Sequence, residues 1–302
     1  MKPTSGPEEP WERDPRAKAE AEAGDRDGGR TRLPGPRHAV GFFFFLILVT
    51  LLAFLVLGIV LGALDIPFDM DSQMGSALLI GIQALINLGA ALLFASLGRF
   101  PYREVFRLRP APGEAYLWGP MGMIALGVVV AQFAALLLRA VPELASENLQ
   151  EMVRLSRYTT LGSFLVYALV ISVGPGISEE LAFRGLILSG FASRYSAPAA
   201  MALSAVLFAL MHVDPLHILA TFPAGLWLAW LVLRTGSLYP AVVAHALNNL
   251  WSTLEAAYRQ VDPGVEPSDV LMELYPWPAV LLAAGVLLLA IHRLRGLKGP
   301  AG

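Results

Sequence analysis

Long uncharged apolar runs, separated by short polar segments, follow one another along most of the chain. Residues 39–64 contain no charged side chain, and a helix of this length, at ~1.5 Å of rise per residue, crosses a ~30 Å hydrocarbon core. The pattern predicts eight membrane-spanning helices, at residues 39–64, 73–98, 116–138, 158–178, 197–212, 218–233, 238–254 and 275–291. We expect a break in the fourth at Gly174-Pro175-Gly176, with helix resuming over residues 181–191.

Residues 1–38 have the opposite character. They carry eight basic and eight acidic residues, six prolines and five glycines, with few apolar side chains to bury. This composition is typical of a disordered segment, and a secretory signal would place its apolar core nearer the start. The sequence therefore predicts a disordered cytoplasmic tail at 1–38 and a membrane domain at 39–296.

Composition agrees with a membrane protein. Of the 302 residues 56% are hydrophobic and 15% charged, and the mean hydropathy is +0.59, which is too apolar for an ordinary soluble domain. We predict an all-α, polytopic helical bundle embedded in the bilayer. The net charge of −2 and the lack of a basic run with interleaved aromatic residues argue against nucleic acid as a ligand.

The positive charges predict an orientation. Basic clusters precede the first span, follow the second, fourth and sixth, and end the chain, whereas the loops at 65–71 and 261–273 are acidic. Basic loops stay on the cytoplasmic side. We expect a multi-pass protein of the cell membrane with both termini in the cytoplasm.

Few ionisable groups lie within the apolar regions, and such groups are expensive at hydrocarbon depth unless they face a polar cavity. Glu180 and Arg184 are four residues apart, so they share a helix face and are positioned for an ion pair. Glu179 is rotated by ~100° and keeps its carboxylate free. Glu179 is therefore a candidate general base, with Glu180 and Arg184 in supporting roles.

Two histidines and an asparagine complete the candidate site. His245 and Asn249 share a helix face, and His212 ends the fifth span. These groups and Glu179 could hold one water molecule, or a metal with its water, for hydrolysis inside the bilayer. Asn248 points elsewhere, and His217 is interpreted as an interface residue. Helical rise places His212 ~22 Å into its span and His245 only ~10 Å into its own, and the sequence does not reconcile these depths.

These residues fall into three motifs, in order: Glu179 to Arg184 as EExxxR, Phe208 to His212 as FxxxH, and His245 to Asn249 as HxxxN. With Gly236-Ser237-Leu238-Tyr239-Pro240 before the last motif, the sequence resembles the CAAX prenyl protease type 2 and bacteriocin-processing (CPBP) family of intramembrane proteases. The resemblance covers about residues 160–255.

The resemblance implies an eight-helix core in which Glu179 activates water while His212, His245 and Asn249 line the site. It leaves open whether zinc takes part, held by Glu179, His212 and His245. A catalytic zinc needs about three protein ligands, which would stop Glu179 from acting as a free base, so the sequence favours direct activation by glutamate. The expected substrate is a peptide or membrane protein, lipidated in the CAAX case.

The sequence leaves two other functions open. A non-catalytic scaffold or chaperone could keep the same fold to bind a partner's transmembrane helix, although it need not retain a full water-binding set. A transporter would show paired interrupted helices in two halves, and only one interruption is predicted. Other intramembrane hydrolases fit poorly, because the sequence contains no HExxH and no GxSG.

Overall fold

The structure is a computed structural model, which describes residues 33–69, 72–260, 262 and 264–297. This part of the chain is helical and contains no β-strand. The helices are α1 Pro36–Ala63, α2 Gln73–Leu97, α3 Tyr102–Val105, α4 Gly113–Ala140, α5 Glu147–Leu155, α6 Leu161–Glu179, α7 Leu188–Ala192, α8 Ala197–Leu210, α9 Pro215–Thr235, α10 Tyr239–Arg259, α11 Pro267–Met272 and α12 Trp277–Gly296. A 3₁₀ turn, Pro142–Leu144, precedes α5, and a π-helical segment, Glu180–Ile187, joins α6 to α7.

A helix is present at each of the eight predicted spans. Six of the described helical stretches are long and apolar enough to cross a membrane: α1, α2, α4, the continuous stretch from α6 through α7, α9 and α12. The other two differ for physical reasons: α8 has only 14 residues, and α10 carries the polar residues of the third motif. The chain is a polytopic all-α membrane protein.

The outer surface of α1 suits contact with lipid. Phe44, Leu51 and Ile59 each expose more than half of their surface, and residues 39–63 of the helix carry no charged side chain. Since α1 begins at Pro36, it includes the last three residues of the predicted tail. Residues 1–32 of that tail lie outside the described residues.

The predicted break at Gly174-Pro175-Gly176 is wrong, because α6 runs without interruption from Leu161 to Glu179. The two glycines instead allow close helix packing. A Cβ atom at Gly174 would lie 3.1 Å from the Cβ of Ala84 in α2, and one at Gly176 would lie 3.0 Å from the Cβ of Ala246 in α10. The irregular backbone comes later, in the π-helical segment.

The π-helical segment is held firmly inside the bundle. Ala182, Phe183, Leu186 and Ile187 are buried in the main core. A Cβ atom at Gly185 would lie 2.4 Å from the ring of Phe106, so no larger residue fits there without movement. This packing fixes the segment that carries Glu180 and Arg184.

The turn between α8 and α9 is defined by local hydrogen bonds. Asp214 caps α9, its carboxylate accepting from the His217 amide at 2.9 Å, and Pro215 occupies the first helical position, where its missing N–H costs nothing. At the other end, Gly236 ends α9 in the left-handed conformation (φ 68°), which glycine adopts without strain. These signals set the position of His212, just before the turn.

Candidate active site

The four predicted catalytic residues line one cavity. It has a volume of about 790 Å³ and is bounded mainly by α2, α4, α6, α9 and α10. Glu179, His212, His245 and Asn249 all contribute to its wall. Three distant stretches of the sequence therefore meet around one space.

The ion pair that the spacing predicted is present. Arg184 Nη1 donates to Glu180 Oε1 at 2.9 Å, and both side chains are fully buried. Arg184 also donates through Nη2 to the carbonyl of Gly225 at 3.3 Å, and its guanidinium lies 4.2 Å from the ring centroid of Phe208. The arginine thus ties the π-helical segment to α8 and α9.

His245 lies between the two glutamates. Its Nδ1 is 2.9 Å from Glu180 Oε1. Because a carboxylate oxygen paired with Arg184 accepts, Nδ1 carries the hydrogen, and Nε2 of the neutral ring keeps its lone pair. This contact was missed from the sequence, where Glu180 was paired with Arg184 alone.

The Glu179 carboxylate is free, as the helical rotation predicted. No hydrogen bond to it is found in the described part of the chain, and its side chain is 21% exposed, toward the cavity. Its Oε2 is 3.9 Å from His245 Nε2. That distance is too long for a direct hydrogen bond and suits a water molecule, offset from the line between the two atoms, that bonds to both.

His212 reaches the same space from the end of α8. Its Nδ1 donates to the Phe208 carbonyl at 3.0 Å, so Nε2 of the neutral ring is left as an acceptor. The Phe208 ring contacts both histidines, with centroids 5.0 Å from His212 and 6.0 Å from His245. The conflicting depths inferred from the sequence are thereby resolved, since the rings of both histidines pack against one phenylalanine.

Asn249 has a structural partner that the sequence did not suggest. Its Nδ2 donates at 3.1 Å to the carbonyl of Ile171, four residues before Pro175. Proline has no N–H to close that helical hydrogen bond, so Asn249 satisfies the carbonyl that Pro175 leaves without its usual donor. Asn249 and His245 line the same cavity, and one hydrogen on Asn249 Nδ2 remains unused.

His217 is a cavity residue that sequence reasoning assigned to an interface. Its ring centroid is 4.4 Å from that of His212, and it lines the cavity wall. The signal that could have found it is the Asp214-Pro215 cap, because a helix that starts there turns back toward the preceding residues.

The arrangement of the possible ligands decides whether a metal ion fits this site. Within the described ranges, no group of three His, Asp or Glu side chains is arranged to hold a metal ion. The Nδ1 atoms of His245 and His212 bond to Glu180 and to Phe208, which leaves Nε2 of each ring open, so the fit of a metal depends on the spacing of the possible ligands alone. The residues as arranged do not fit the zinc site that the resemblance left open.

Comparison with known proteins adds one match. Residues 161–251 match the family described as "Type II CAAX prenyl endopeptidase Rce1-like", and this segment contains all three motifs. No curated protein and no solved structure matches the chain. The chain is thus a multi-pass membrane protein whose residues 161–251 form a domain of the Rce1-like type II CAAX prenyl endopeptidase family.

Proposed function

We propose that this protein is an intramembrane endopeptidase that hydrolyses a peptide bond of a membrane-embedded or lipidated, CAAX-like protein. The observation that carries the proposal is the free Glu179 carboxylate in the cavity, 3.9 Å from His245 Nε2. A carboxylate with no competing hydrogen bond is available as a general base. The family domain supports a protease as the class of enzyme.

In the proposed reaction Glu179 removes a proton from a water molecule as the water oxygen attacks the scissile carbonyl carbon. His245 orients this water by accepting its second hydrogen at Nε2, and His212 lines the same space with its own Nε2 open. The remaining hydrogen on Asn249 Nδ2 is the amide donor available to the oxyanion that develops on the carbonyl oxygen. Collapse of the tetrahedral intermediate breaks the C–N bond, and Glu179 returns the proton to the leaving amine.

Glu180 and Arg184 act on the reaction through His245. The Glu180 carboxylate keeps the hydrogen of His245 on Nδ1, which directs the Nε2 lone pair toward Glu179. Arg184 neutralises Glu180 inside the bundle, where an unpaired carboxylate would be costly. No step requires a metal ion.

The test is a cleavage assay in water enriched in ¹⁸O. Full-length protein in lipid nanodiscs is incubated with a farnesylated peptide ending in a CAAX-like sequence and, separately, with a single-span membrane protein. The expected result is a new carboxyl terminus that contains one ¹⁸O atom, detected by mass spectrometry. Binding of both substrates without any cleavage would contradict the proposal and favour a scaffold.

A further inference from the structure

Three side-chain amides on the cavity wall take no part in the proposed chemistry. They are Gln83 and Asn87 of α2 and Asn248 of α10, here called the amide row. Asn87 is buried and the other two are half-buried. Polar side chains in a membrane-spanning helix are costly unless a partner or a function uses them, so these three require an explanation.

Much of the hydrogen-bonding capacity of the amide row is unused. Gln83 Nε2 donates to Asn87 Oδ1 at 2.6 Å and to Thr50 Oγ1 at 3.2 Å. Within the described residues this leaves Gln83 Oε1 as a free acceptor and Asn87 Nδ2 as a free donor. The Asn248 carboxamide has no hydrogen bond to any described residue, and its Oδ1 lies 3.1 Å from the position of a Cβ added at Gly127.

Helix packing sets the height of the amide row relative to Glu179. A Cβ at Gly81 would lie 3.7 Å from Val170, and Ala84 packs on Gly174, so α2 and α6 run in the same direction in register. Continuing that register places Asn87 level with Ile177, ~3 Å below Glu179 along the helix, and Gln83 level with Val173, ~9 Å below Glu179.

The α10 side of the row follows in the same way. Ala246 packs on Gly176 and Asn249 bonds to Ile171, so α10 runs opposite to α6. Asn248 therefore lies near the height of Gln83. From Val173, the level of Gln83 and Asn248, to Glu179 the helix rises ~9 Å, the length of about three residues of extended peptide.

The chemistry of the row matches an extended main chain. A peptide that enters a membrane cavity as a strand has free N–H and C=O groups, and each group left unpaired is costly. A carboxamide offers both a donor and an acceptor, as a neighbouring strand does. None of the three side chains is charged, so the row provides no ionic partner for a charged substrate side chain.

We propose that Gln83, Asn87 and Asn248 form a subsite that binds the main chain of an extended, uncharged peptide segment next to the scissile bond. The inference rests on the proposed function, because that function places the reacting bond at Glu179. The three residues are specificity-determining positions for peptide conformation.

Binding is measured apart from cleavage. Full-length protein carrying Glu179→Gln is placed in nanodiscs and titrated with a fluorescent peptide that ends in S-farnesyl-Cys-Val-Ile-Ala. We expect Asn248→Leu, Asn87→Leu and Gln83→Leu each to weaken binding by about tenfold, the effect of one lost hydrogen bond. The control Asn148→Leu, at an exposed position outside the cavity, should leave the affinity within about twofold, well short of the loss of one such bond.

A second peptide tests whether main-chain groups are recognised. The same peptide, N-methylated at the Val and Ile nitrogens, lacks two main-chain donors. We expect it to bind the parent protein more weakly, and at least one row variant to lose less affinity for it than for the unmodified peptide. Asn248→Leu is the most direct variant, because it breaks no hydrogen bond among the described residues and its folding can be checked by thermal unfolding.

The outcomes separate this proposal from the proposed function. If the wild type cleaves no peptide but peptide binding still depends on the amide row, the proposed subsite is supported and the proposed protease function is contradicted. If the wild type cleaves the peptide and all three row variants keep the peptide affinity and KM of the parent protein, the proposed subsite is contradicted and the protease function is supported. Failure of the folded Glu179→Gln protein to bind the peptide also overturns the row.

Discussion

Asn249 donates a hydrogen bond to the carbonyl of Ile171. This carbonyl would normally accept from the N–H of residue 175, but Pro175 has none. Removing this donor by Asn249→Ala leaves a half-buried carbonyl unsatisfied, which typically costs about 1–3 kcal/mol. The variant should unfold at a lower temperature in detergent. In the double variant with Pro175→Ala, the alanine supplies the N–H that closes the helical bond, so we expect stability to recover while catalysis stays impaired.

Asn248→Ala is the matched control for this prediction. It removes a neighbouring carboxamide that has no hydrogen bond to any described residue, so it should change the unfolding temperature little. If Pro175→Ala fails to restore the stability lost in Asn249→Ala, the carbonyl is not what Asn249 satisfies.

The buried Glu180–Arg184 pair should dominate the stability of the π-helical segment. Arg184→Leu leaves the Glu180 carboxylate buried without its cation, and breaking such a pair typically costs about 3–5 kcal/mol. The free energy of unfolding can be measured by titration with a denaturing detergent.

The exposed pair of Arg154 and Glu151 gives the comparison. The Arg154 side chain is 59% exposed, and such pairs contribute about 0–1 kcal/mol. Arg154→Leu should therefore change the free energy of unfolding far less than Arg184→Leu. Equal losses in the two variants would show that burial of the Glu180–Arg184 pair is not decisive.

Contact between α6 and α10 sets the distance from Glu179 to His245. A Cβ at Gly176 would lie 3.0 Å from the Cβ and 3.2 Å from the backbone of Ala246, so Gly176→Ala pushes the helices apart. A misplacement of ~1 Å can cost about 10²-fold in turnover, and we expect a loss of kcat approaching that value. Gly162→Ala, in the same helix with open space around it, should retain activity; equal losses would mean that the helix contact does not control the site.

Direct activation of water by Glu179 also predicts the response to metal removal. Dialysis against a zinc chelator should leave the rate of peptide cleavage unchanged, and the purified protein should contain less than one zinc per chain. Loss of activity on chelation, restored by added zinc, would instead support the metal-dependent alternative.

The helices and the Glu180–Arg184 pair could be predicted from the sequence because both depend on residues that are close together along the chain. Long uncharged runs identified a helix at every predicted span, and the four-residue spacing identified the Glu180–Arg184 pair. The assignment of catalytic roles to Glu179, His212, His245 and Asn249, and the placement of both termini in the cytoplasm, stay predictions.

Contacts between distant helices could not be read from spacing. Gly174-Pro175-Gly176 has the composition of a break, yet α2 and α10 pack on its glycines and Asn249 satisfies the free carbonyl. The bond from His245 to Glu180 and the contact of His217 with His212 depend likewise on how helices meet. Residue spacing shows which side chains share one face of a helix, whereas tertiary packing decides which other helix contacts that face.

The most direct measurement of the central claim is the turnover of Glu179→Gln, an isosteric change that removes the base and keeps the shape of the side chain. Cleavage of the farnesylated peptide in nanodiscs should fall by about 10²–10⁴-fold, the usual contribution of a general base. Peptide affinity and thermal stability should remain close to wild type, and Glu114→Gln, at an exposed position in the first turn of α4, should cleave normally. Full turnover by a folded Glu179→Gln protein would contradict the account.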